Sequence, residues 1–184
     1  MTTSENTLTL SPDRLSAATS RRQLINAFIT TCVPDSALQS GRTGPWLILL
    51  TQLQMRTKAL ETTSLAISAA VLGRSNNDTT LVKESLKLYT RGLRELQNAL
   101  WNSNLMYDDE TFAACFLLSL YEVMECPGDA YSAYVSHCTG CLKLVEARGV
   151  ERHTSGIAHQ LFVGFRSQGV LLFHADHDLS GAIY

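Results

Sequence analysis

The 184 residues carry 15 lysines and arginines against 17 aspartates and glutamates, a formal charge of -2, and 45% of them are hydrophobic. That apolar share can fill one compact core, while the near-neutral balance lacks the basic stripe that displaces counterions from nucleic-acid phosphates. The longest apolar runs, such as Trp46 to Leu50 and Ala113 to Leu118, fall far short of the roughly 20 residues that cross a bilayer, so neither direct DNA binding nor a membrane span is expected.

Residues 1–13 are rich in Thr, Ser and Asn with almost nothing to bury, and read as a disordered arm ahead of a single domain over 14–184. No basic n-region followed by an apolar stretch marks a secretory signal. Five cysteines, an odd number, without an export signal point to free thiols in a reducing intracellular compartment.

From Arg14 to Val33, Leu24, Ile25, Phe28, Ile29 and Cys32 recur at helical spacing until Pro34. Pro34 to Pro45 is a Gly/Ser/Pro loop, and a second long helix is expected from Trp46 through Leu49, Leu53, Leu60, Ile67 and Val71 to a C-cap at Gly73. Asp78 can cap a third, whose stripe of Leu81, Ser85, Leu86, Tyr89, Leu93, Leu96 and Leu100 opposes Lys83, Glu84, Lys87, Arg91 and Arg94. Asp108, Asp109 and Glu110 suit the positive end of a fourth, whose continuation TFAACFLLSLYEVM is apolar nearly all round and should be the buried centre. After Pro127 and Gly128, Asp129 can cap a fifth, ending at Gly149 with Lys143 and Arg148 near its negative end. Thr154 or Ser155 opens a sixth through Ile157, Leu161, Phe162, Phe165 and Val170. No stretch alternates with a period of two between turns, so the fold class is all-α: about six antiparallel helices in one bundle-like domain.

The polar residues set among apolar ones are the candidate sites. His137-Cys138-x-x-Cys141, with Cys126 and His153 nearby, has the ligand types of a zinc site. A structural site needs four convergent ligands, however, and the second pair is missing, so buried thiols acting as small apolar groups are the simpler reading, with no metal and no cofactor. Glu122 sits in an apolar helix, where a carboxylate is costly unless paired or protonated. Its candidate partners are His137, the tyrosines Tyr121 and Tyr134, and Arg166. A buried carboxylate against an imidazole can do general acid/base work, and it can equally lock two helices together. The cluster His174, Asp176, His177 and Asp178 fits no metal-ligand spacing and reads as a solvated end. Neither a nucleophile elbow nor a phosphate loop is present.

Three segments, in this order and spacing, carry a resemblance: Tyr89-x-x-Gly92-Leu93-x-x-Leu96-x-x-x-Leu100; Asp109-Glu110-Thr111 with Leu117-Leu118-x-Leu120-Tyr121-Glu122; and Tyr134-x-x-His137-x-x-Gly140-Cys141-x-x-Leu144-x-x-x-Arg148-Gly149. From about Leu24 to Leu172 the chain resembles the regulatory, or middle homology, domain of fungal binuclear-zinc-cluster transcription factors. Tyr134 stands where that family leads one to expect tryptophan, and Cys141 where it leads one to expect alanine. The six-cysteine DNA-binding cluster of that family is absent from residues 1–31, which hold no cysteine, and the family's domain continues through further helices beyond the length of this chain. The resemblance therefore implies a stand-alone regulatory-domain relative, nuclear, binding itself, a protein partner or a small effector in transcriptional or pathway control without touching DNA. The alternative is a small cofactor-independent enzyme of fungal specialised metabolism in the cytoplasm, with Glu122, His137, Tyr121 and Arg166 as its proton-transfer or orienting groups.

Overall fold

A computed structural model describes residues 18–33, 46–125 and 130–166, with the side chains of 18 and 130–134 excepted. The expected arm over 1–13, the loop Pro34–Pro45, the Pro127-Gly128-Asp129 turn with Cys126, the Tyr134 side chain and the cluster from His174 to Asp178 lie outside the described residues. The described architecture is all-α, as the periodicity predicts. Helix α1 spans Ala18–Cys32, α2 Leu49–Gln52 after a 3-10 turn at Trp46–Ile48, α3 Lys58–Ser75, α4 Thr79–Leu100, α5 Asp109–Glu125 and α6 Ala130–Arg148. A further turn at Val150–His153 leads into α7, described over 156–166.

Helix α5 occupies the centre, with α3, α4 and α6 packed around it and α1 on the far side of α3. Every residue from Phe112 to Ser119 is buried. Its rings reach outward to the lids of the core: Phe116 lies 4.0 Å from Trp46 and 5.6 Å from Phe165 between centroids, and Phe112 lies 6.0 Å from Phe165. The two pairs with Phe165 meet edge to face, which adds to the area they bury. Helix α3 is buried almost as fully, through Ala59, Ala66, Ala69 and Ala70. Its interior hydroxyls return to its own carbonyls, Thr63 to Ala59 at 2.9 Å and Ser68 to Ser64 at 2.7 Å, so small polar residues sit in the core with their donors satisfied.

Three sequence expectations need correction. The second helix is not continuous from Trp46: the backbone leaves the helix at Leu53, turns left-handed at Met55 (φ 55°), and restarts with Thr57 as N-cap, its hydroxyl accepting from Leu60 N–H at 3.3 Å. The cause is remote in sequence. The Thr57 N–H donates to the Glu110 carboxylate at 2.7 Å, and a helix running through Thr57 would spend that N–H on its own carbonyl ladder, leaving Glu110 buried at 1% exposure without it. Nor does α3 end at Gly73. It runs to Ser75, and Asn77 (φ 55°) takes the left-handed turn, while Gly73 is the place where the start of α4 approaches, so that a Cβ there would meet Val82 Cγ2 at 2.8 Å. Leu86, finally, lies outside the buried stripe of α4 at 58% exposure.

The expected caps of the other helices are present. Asp78 accepts from Thr80 and Leu81 N–H at 2.9 and 3.0 Å, Asp108 accepts from Glu110 N–H at 2.9 Å, and α6 stops at Gly149, whose φ of 80° suits glycine.

Two glycines separate helix propensity from packing. An alanine Cβ at Gly92 would meet Thr63 Cγ2 at 2.9 Å, and Thr63 cannot swing away without losing its buried hydroxyl bonds; at Gly140 the nearest atom is Cys115 Sγ at 4.0 Å. Alanine gains about 1 kcal/mol of propensity at either place, and overpacking costs about 1–3 kcal/mol. Gly92→Ala should therefore lower stability and Gly140→Ala raise it, as read from urea midpoints; two shifts of the same sign would contradict the packing described.

Candidate functional site

Helices α5 and α6 form a hairpin whose polar contacts stand in rungs. Near the turn, Glu122 Oε1 lies 3.0 Å from His137 Nε2. Two turns earlier on α5, Cys115 Sγ meets Cys141 Sγ at 3.1 Å. Near the far end, the buried Arg148 guanidinium pairs with Asp109 and lies over the Phe112 ring, 5.3 Å from its centroid. Residue numbers rise along α5 as they fall along α6, as antiparallel neighbours require, and the three rungs fix one register.

The Glu122 rung is the candidate site. Glu122 is 1% exposed, and the Tyr89 hydroxyl of α4 donates to the same Oε1 that faces His137, so one carboxylate ties three helices. Oε2 has no hydrogen-bond partner among the described residues. Tyr121, 2% exposed, is held beside it: its hydroxyl shares a 3.1 Å hydrogen bond with Ser85, and its ring stacks on Tyr89 at 4.6 Å. His137 is half-buried. Burial alone would lower its pKa, but the contacts with Cys115 and Glu122 outweigh it and raise the imidazole above its ordinary 6.5.

Of the four residues singled out, the structure brings Glu122 and His137 into contact and joins Tyr121 to them through the Tyr89 ring, whereas Arg166 is exposed on α7. Tyr89 was missed as a partner because it belongs to an apolar stripe and reads as core. Cys115 was missed because Cys138-x-x-Cys141 draws attention to two sulfurs of one helix, while the thiol that meets Cys141 is on the other. The two thiols have a spacing signal, since Cys115 precedes Glu122 by two turns and Cys141 follows His137 by one. Across the rung Cys141 donates to Cys115. That hydrogen bond, against burial and with help from His137, holds the Cys115 thiol down to about 6, and the same contact and burial push Cys141 well up. His153, considered above with the cysteines, lies elsewhere, between Phe112 and Phe162, where burial lowers its pKa.

Chemically, the arrangement is a carboxylate–imidazole–phenol clamp closed by its own side chains. It can hold a charge and a proton in the core, and it locks α4, α5 and α6 against one another.

A family model described as the fungal specific transcription factor domain matches residues 23–170. Among curated proteins, Uncharacterized protein AN5342 of Emericella nidulans is 28% identical over 102 residues, which are 55% of this chain and 21% of that protein; the match thus spans about a fifth of the relative. No solved structure matches.

The clamp predicts a pH signature. A His whose folded pKa lies above its unfolded value adds stability that is fully present below the unfolded 6.5 and disappears as pH rises through the folded value. His137→Gln should therefore cost more at pH 6 than at pH 9 in urea unfolding. An equal or reversed cost would show that the imidazole does not bear charge against Glu122. Glu122→Gln, by removing the carboxylate and leaving the Cys115 contact, should shrink the difference while costing about 1–3 kcal/mol itself.

Proposed function

The chain belongs to the fungal specific transcription factor domain family, and we propose that within it the chain works as a helical regulatory module that controls transcription or a pathway by pairing with a second copy of itself, without direct contact to DNA. The observation that carries this reading is a contrast on one hairpin. The polar cluster of α5 and α6 is turned inward and closed, while Val123 and Met124 of α5 and Val135 and Leu142 of α6 stand between 37% and 51% exposed. Large apolar side chains grouped on adjacent elements of a water-facing surface favour a protein contact, and a copy of the same face supplies a self-complementary partner by two-fold symmetry. The charge of -2 supports the rest of the proposal, because a chain without a basic face gains little from phosphate contacts. A nuclear location goes with this proposal, and the family is consistent with it. No described helix is long and apolar enough to cross a membrane.

An enzyme built on Glu122, His137, Tyr121 and Arg166 requires those groups to meet a substrate together. Glu122 and Tyr121 are sealed and Arg166 faces solvent, so that reading draws no support from the site.

Light scattering over a wide concentration range tests the proposal. The wild type should move from monomer to dimer as concentration rises. The double variant Val135→Glu/Leu142→Glu, both at exposed positions, should stay monomeric with an unchanged thermal midpoint. A wild type that remains monomeric throughout, or a variant that pairs equally well, would remove the proposal.

A further inference from the structure

The Cys115–Cys141 rung adjoins the Glu122 clamp, with Cys115 against His137, and its geometry is unlike ordinary apolar packing. The two sulfurs lie 3.1 Å apart on different helices, in thiol–thiol contact. Both are buried, Cys141 completely and Cys115 to 5% exposure. On the α6 side half-buried Gly140 faces Cys115: a Cβ built there would meet its sulfur at 4.0 Å and no other atom within that distance. A small neutral molecule that comes to Cys115 past Gly140 meets no side chain of that residue on the way, and Cys115 retains a little exposure where Cys141 has none.

We infer that Cys115 and Cys141 form an oxidation site for a small peroxide, with Cys115 as the attacking sulfur and Cys141 as the resolving one, closing to a disulfide that staples α5 to α6. The chemistry balances. The Cys115 thiolate attacks one oxygen of hydrogen peroxide, the O–O bond breaks, and with one proton the leaving oxygen departs as water, leaving a sulfenic acid. Cys141 then attacks the Cys115 sulfur, the S–O bond breaks, the S–S bond forms, and the thiol proton leaves with the hydroxyl as a second water. Two thiols lose two electrons and the peroxide gains them. The polarity of the contact suits these roles, since Cys141 donates to Cys115 and so favours the thiolate on Cys115. Cys32, half-buried on α1 with its thiol pushed up by burial, has no such arrangement and serves as the internal comparison.

The full chain, folded and reduced, is exposed to hydrogen peroxide, quenched, unfolded in alkylating reagent and cleaved after glutamate. Cutting at Glu110, Glu122, Glu125 and Glu146 places Cys115 and Cys141 on separate peptides, which mass spectrometry then identifies. The expected product is a Cys115–Cys141 cross-linked pair that disappears on reduction and forms before Cys32 is modified. In Cys141→Ser the reaction should stop at a sulfenic acid on Cys115 that dimedone traps, and in Gly140→Ala, which adds a methyl over the sulfur and keeps the helix, cross-linking should slow several-fold. Oxidation of Cys32 while Cys115 and Cys141 both remain alkylatable would overturn the inference, as would a cross-link from Cys141 to another cysteine. Should Cys141→Ser fail to fold, the wild-type cross-link and the Gly140→Ala rate decide the matter.

Discussion

One buried carboxylate constrains most of this molecule. Glu122 lies at 1% exposure on the central helix, and moving an ionised carboxylate out of water costs several kcal/mol unless partners replace the solvent. The Tyr89 hydroxyl and the His137 imidazole do so, from α4 and α6 respectively, and only when the three helices stand at one rotation and one register. Three turns away at the other end of α5, Glu110 imposes a second constraint of the same kind through the Thr57 N–H. Helix α5 needs both. Because it is apolar around nearly its whole circumference, it has no amphipathic stripe to set its rotation, and many rotations would bury comparable area. The two buried glutamates, each with a partner on a different element, discriminate among them.

Much of this could be read from the residues, and the part that could not has a definite character. The Asp78 cap, the stripe of α4, the stop at Gly149 and the burial of α5 follow from local chemistry, and local chemistry is visible in a linear sequence. Glu122 and His137 were recognisable because a charged residue in an apolar helix demands a partner. The break at Leu53–Thr57 was not, since that segment holds neither proline nor glycine and is cut by a carboxylate 53 residues further on. Arg148 looked like a cation at a helix end, and its ion pair with Asp109 appears only when α6 lies back along α5. The Cys115–Cys141 rung is of the same type: it follows from the register set by Glu122–His137, so it was accessible only after that register was known.

The position of the clamp bears on function. General acid/base chemistry needs groups that meet a substrate, and here the carboxylate and Tyr121 face inward among their own partners. Outward, the hairpin presents Val123, Met124, Val135 and Leu142 alongside polar residues such as Lys143 and Glu146. A regulatory module that works by contact fits that division of labour: the buried polar rungs keep the hairpin straight and in register, and the exposed side chains of the same two helices supply the surface. Membership of the fungal specific transcription factor domain family suggests a regulatory role, with which this arrangement is consistent.

The central claim is that Glu122 and His137 act as one unit holding the helices together. A double-mutant cycle of Glu122→Gln and His137→Gln, followed by urea unfolding at pH 6, measures that coupling directly. The account predicts that the two substitutions together cost less than their sum by about 1–3 kcal/mol, whereas additivity within about 0.5 kcal/mol would mean that the two side chains are neighbours without being partners.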